Sequence, residues 1–85
     1  MNDSELIMTK LATKHLKGKT IKKVYYLEKN DAEQCLWHQR PIVIEFEDGS
    51  IIMPMSDDEG NDGGSLHFYE GNGGESDTIG VLWND

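Results

Sequence analysis

Residues 41–55 read PIVIEFEDGSIIMPM, and the way this stretch folds constrains everything around it. Apolar residues, many of them β-branched, flank Asp48-Gly49 on both sides, a dipeptide that supplies the positive backbone angles of a two-residue type I′ turn. The pattern predicts a β-hairpin. With that turn setting the register, Phe46 lies opposite Ile51, Ile44 opposite Met53 and Ile42 opposite Met55. Six apolar side chains then share one face, while Glu45, Glu47 and Ser50 take the other. Pro54 has no N–H to donate and belongs where its strand edge is unpaired or bulged.

Upstream, KTIKKVYYLEK (residues 19–29) is rich in β-branched and aromatic residues from Ile21 to Leu27, which predicts a strand. Its alternation is imperfect, so a bulge is expected within it. The first 18 residues read as a helix. Asn2 and Glu5 have capping-box spacing, with Met1 and Leu6 placed for the hydrophobic staple. Met8, Leu11, Ala12 and Leu16 fall on one stripe, edged by Ile7 and His15. Lys14, His15 and Lys17 suit the negative end of the helix dipole, and Gly18 can close the last turn. Between helix-strand unit and hairpin, NDAEQCLWHQ (residues 30–39) predicts a loop or a single helical turn that lays Leu36 and Trp37 on the core.

Downstream come a strand at LHFYE (residues 66–70) and a last strand at TIGVLW (residues 78–83), with Ile79, Val81 and Trp83 on one face. One domain covering residues 1–85 is expected, with an α+β fold. Its N-terminal helix packs on a small twisted antiparallel sheet of about five strands. A small β-barrel is the alternative, since short curled sheets can close.

Two glycine-acid loops interrupt this scheme, at residues 56–65 (SDDEGNDGGS) and 71–77 (GNGGESD). A calcium loop needs carboxylates at alternate positions, a glycine at the sixth and a bidentate glutamate at the twelfth. Starting at Asp57 the sixth position is Asp62 and the twelfth Phe68; starting at Asp58, Gly60 falls in a ligand slot and Tyr69 at the end. Neither register fits, so solvated connections are the main expectation, with a weak divalent-cation site as an alternative. Cys35 and His38 have the spacing of half a zinc site, but His15 and His67 lie on other elements. No metal, cofactor or catalytic residue is expected.

Charge is divided unevenly along the chain. Residues 1–40 hold all eight basic residues against five acids, and residues 41–85 hold eleven acids and no base. The halves therefore carry +3 and −11, which sum to the net −8. An acidic half of this kind repels phosphate backbones, so nucleic-acid contact is not expected and a basic partner is. The single cysteine, Cys35, cannot form an internal disulfide, and the N-terminus has no signal-like apolar stretch. A cytoplasmic location follows, and the short apolar runs exclude a membrane-spanning helix.

The segments GKTIKKVYYL (residues 18–27), Trp37–Arg40 and IVIEFEDGSIIMPMSDDEGNDGGSL (residues 42–66) resemble a set of small bacterial proteins of unknown function. Ser56 to Asn61, with Gly64 and Leu66, carry the most specific part of the likeness. The resemblance implies a compact domain met as a stand-alone reading frame in bacterial or mobile DNA, and it implies no activity or cofactor. Together these readings predict a non-enzymatic acidic interaction module that binds another protein or itself, with Asp57, Asp58, Glu59, Asn61 and Asp62 as the partner-binding residues. A DNA-mimicking inhibitor or immunity-type protein is the alternative.

Overall fold

The computed structural model describes residues 3–83. The expected cap at Asn2 and staple at Met1 lie outside the described residues. In chain order the elements are α1 (Asp3–Leu16), β1 (Ile21–Tyr26), α2 (Lys29–Gln34), β2 (Gln39–Arg40), β3 (Ile42–Phe46), β4 (Ile51–Ile52), β5 (Leu66–Tyr69), β6 (Ser76–Ile79) and β7 (Leu82–Trp83). This is an α+β fold. The strands are all antiparallel and fall into three small open sheets, ordered β1-β3-β4, β2-β7 and β5-β6. Among the described residues no barrel closes.

The hairpin at residues 42–52 forms, but one residue out of the expected register. Ile44 pairs with Ile52 and Glu45 with Ile51. The reason lies in the turn. Asp48 turns its carboxylate onto the Ser50 backbone N–H (2.9 Å) and Oγ (2.5 Å), and only Gly49 takes a positive φ, +89°. The connection is therefore the three residues 47–49, closed by Phe46 N–H to the Ser50 carbonyl (2.9 Å), the geometry of a type I turn followed by a glycine bulge. The shift places Val24, Ile44 and Ile52 in one cross-strand row. The expected partners Met53 and Met55 drop out of the hairpin, and Met55 instead forms an isolated bridge with Gly63.

β1 pairs with β3 through Val24–Ile44 and Tyr26–Ile42, with the expected irregularity between Ile21 and Lys23. It is an edge strand, and its lysines fold back on β3: Lys22 and Lys23 reach Glu45 at 3.8 and 4.0 Å. Opposite charges across a strand pair contribute modestly to stability and blunt an edge against pairing with another sheet.

The core sits on the segment from α2 to β3. Ala32, Trp37, Pro41, Ile42, Val43 and Phe46 are buried. Leu36, expected among them, is instead 84% exposed with φ +64°. It occupies the left-handed position that ends α2: Leu36 N–H bonds the Glu33 carbonyl (3.0 Å) and Trp37 N–H the Ala32 carbonyl (2.9 Å). That is a Schellman closure, and it swings the leucine outward as it turns Trp37 inward.

The expected last strand is divided in two. Tyr26 Oη donates to the Gly80 carbonyl (2.8 Å), and at that point the chain leaves its pairing with β5 and joins β2 through Gln39–Trp83 and Arg40–Leu82. The single face proposed for Ile79, Val81 and Trp83 is therefore broken at Gly80.

Candidate functional site

The loop after Met55 is a closed clasp and not a slack connection. At its base, Ser56 N–H donates to the Asp62 carbonyl (2.9 Å) and Gly64 N–H to the Pro54 carbonyl (3.0 Å). Inside it, Asp57 accepts from Glu59 N–H (2.9 Å), Asn61 N–H (3.2 Å) and the Asn61 side-chain amide (2.7 Å). An aspartate that caps its own following residues in this way holds a turn in place of a strand ladder.

The clasp is then fastened to the core. Trp37 Nε1–H donates to the Gly60 carbonyl (2.8 Å), and Gln39 N–H donates to Asp62 Oδ1 (2.9 Å), which also accepts from Gly63 N–H (2.8 Å). Two glycines make this approach possible. A Cβ on Gly63 would lie 2.6 Å from the Gln39 carbonyl oxygen and from Pro41 Cδ; one on Gly64 would lie 2.7 Å from the Met55 backbone. Gly63 thus serves close packing over Pro41, and Gly64 close packing against the Met55 backbone.

Of the five residues predicted to bind a partner, the structure gathers all on this clasp but divides their roles. Asp57, Asn61 and Asp62 spend their side chains or backbone inside it. Their environment also favours the charged carboxylates. Asp57 is held below the ordinary aspartate range chiefly by the Asn61 side chain, then by backbone amides. At Asp62 partial desolvation works the other way, but amides from Gln39, Gly63 and His38 outweigh it, and the pKa is lowered. Asp58 and Glu59 are exposed, and their carboxylates make no such bond.

The second glycine loop is smaller than its expected span, residues 71–77. Glu70 N–H meets the Glu75 carbonyl (3.0 Å) and Glu75 N–H the Glu70 carboxylate (3.1 Å), so β6 already begins at Ser76. His67 lies beside Thr78 Oγ1 (3.1 Å) and Tyr69. Among the described residues no group of three or more His, Cys, Asp or Glu side chains is arranged to hold a metal ion, and no helix is long and apolar enough to cross a membrane.

A second surface lies between α1 and the hairpin. A groove of about 540 Å³ runs between Met8, Leu11 and Leu16 on one wall and Phe46, Ile51 and Ile52 on the other. At its end, Lys19 ties the helix terminus to the turn, reaching Asp48 (2.5 Å) and Ser50 Oγ (2.9 Å) and lying 5.8 Å from the Phe46 ring centre. The Lys19 ammonium, followed by Ser50, holds the Asp48 carboxyl well below its usual range. The helical stripe was legible in sequence. Its exposure was not, because periodicity shows which side chains share a face but not how closely that face is covered.

No family model matches this chain, and no curated protein and no solved structure matches it either.

Proposed function

We propose that this chain is a non-enzymatic acidic interaction module that binds another protein through a basic surface of that partner. The observation that carries the reading is the presentation of Asp58 and Glu59. They project from a loop fastened to Trp37 and Gln39, so a partner meets two carboxylates whose backbone is already ordered, and less conformational entropy is lost on contact. The −11 carried by residues 41–85 adds long-range attraction for a basic partner. The spread of the reactive groups supports a binding role over a catalytic one: His15 lines the α1 groove, His67 is on β5, Cys35 is exposed at the end of α2, and His38 follows Trp37 beside Asp62. A cytoplasmic location goes with this reading, since an exposed thiol stays reduced there.

The test uses Asp58→Asn/Glu59→Gln, which removes charge without touching the bonds that hold the clasp. Proteins retained from the native cell on the immobilised wild-type chain at about 50 mM salt should be released at about 500 mM, where screening is short-ranged, and the variant should retain them several-fold less. Equal retention by the variant, or salt-independent retention, would refute the acidic contact.

A further inference from the structure

The α1 groove opens onto a wider apolar face that the described residues leave largely uncovered. Met8 and Leu11, on the helix wall, are 56% and 47% exposed. Ile21 and Val24 pair across the strands with Phe46 and Ile44 and are 55% and 54% exposed. Hydrophobic side chains that share a sheet face and a helix stripe are normally removed from water together.

The area left over is large. The chain exposes 6593 Å², whereas a compact monomer of 9.6 kDa is expected to expose about 5,100 Å². Its radius of gyration, 14.5 Å, also exceeds the roughly 12 Å of a compact chain of this length. That surplus is shared with β5 and β7, where Tyr69 and Trp83 are 74% and 63% exposed; if about half of it lies on the α1 face, two chains that withdraw it bury about 1,500 Å² in total, the size of a standard specific interface.

We propose that this face is covered by a second copy of the same chain, with α1 of each protomer seated in the other's groove. A two-fold contact requires one patch that complements itself. This patch has both halves: an apolar ridge, α1, and beside it a groove, held in position by the tie from Lys19 to Asp48 and Ser50. The dimer also supplies apolar burial that a core of six buried side chains among the described residues lacks, the usual remedy for a domain this small. The proposal goes beyond the acidic contact at Asp58 and Glu59 and uses a different surface, and salt separates the two. Each chain carries −8, so screening relieves repulsion between copies and favours the dimer, while it weakens an acidic-to-basic contact.

Sedimentation velocity from about 1 to about 100 µM chain should give twice the 9.6 kDa chain mass at the upper end, with dissociation weaker at about 500 mM than at about 50 mM salt. Leu11→Lys should remain monomeric throughout, and Asp58→Asn/Glu59→Gln should dimerise like the wild type or better. In case Leu11→Lys fails to fold, a mixed sample of isotope-labelled and unlabelled wild type should show nuclear Overhauser contacts between copies from the Met8 and Leu11 methyls to Ile52 or Val24. A monomer at the highest concentration at both salts overturns the proposal and leaves the acidic contact standing. Contacts between copies confined to other surfaces, such as Phe68 and Tyr69 on β5, overturn it as well.

Discussion

Replacing Leu36 by glycine should make the protein more stable. Leu36 sits at φ +64°, where an L-residue with a side chain costs about 1–2 kcal/mol relative to its preferred conformations. Glycine escapes that cost but loses more backbone freedom on folding, about 0.4–1 kcal/mol. The leucine side chain, 84% exposed, has little burial to lose. The balance is a gain of roughly 0.5–1 kcal/mol, or a rise of several degrees in the midpoint of thermal unfolding for a chain this short. Urea unfolding followed by the fluorescence of Trp37 and Trp83 measures it. Leu36→Ala is the control, since it removes the exposed apolar atoms without relieving the backbone, and it should bring no gain. If alanine stabilises as much as glycine, the gain comes from removing apolar surface. If glycine destabilises, the leucine is buried against something in solution. Either result would refute the argument from backbone strain.

Three further predictions concern the clasp, the β6–β7 junction and the hairpin turn. Gly63→Ala should destabilise by about 1–3 kcal/mol, because its Cβ would meet the Gln39 carbonyl and Pro41 at 2.6 Å. Gly80→Ala, with open space around it, should change the unfolding free energy obtained from urea melts by less than about 0.5 kcal/mol. At Asp48, the folded pKa lies well below its ordinary 3.8, so between the two values the unfolded chain binds more protons. Stability from this carboxylate is then fully present above pH 4 or so and is lost as pH falls through the folded value. The stability gap between wild type and Asp48→Asn should accordingly shrink below about pH 4, and a carboxyl-carbon NMR titration of Asp48 should show a depressed midpoint; a constant gap would count against the Lys19 contact.

What the sequence made legible was local. Alternation around Asp48-Gly49 shows a hairpin, and the stripe from Met8 to Leu16 shows a helix, because each period repeats within a few residues. The register failed because the turn is decided by competition at one side chain. Asp48 can either adopt a positive φ or stay in the right-handed region and hold Ser50; its bonds to Ser50 and Lys19 favour the second. Leu36 was misplaced for a related reason: a left-handed closing residue is expected to be glycine, and a leucine there reads as core. At residues 56–65 the acids and glycines are visible, but the division between Asp57 and Asp62, which fasten the loop, and Asp58 and Glu59, which face outward, depends on Trp37 and Gln39. Those are some twenty residues away in sequence.

The long reach of the final strands also bears on synthesis. The bond from Tyr26 to Gly80 spans 54 residues, and β2 finds its partner only at Leu82–Trp83. A ribosome that has just delivered Val43 still has to translate the clasp and β7, which at 5–20 residues per second takes roughly 2–8 s. Nine residues into that interval β4 completes the β1-β3-β4 sheet, while β2 and the Tyr26 hydroxyl still wait for their partners. Lys22 and Lys23 keep the outer edge of β1 charged throughout, so the growing sheet is shielded on that side before its last strands exist.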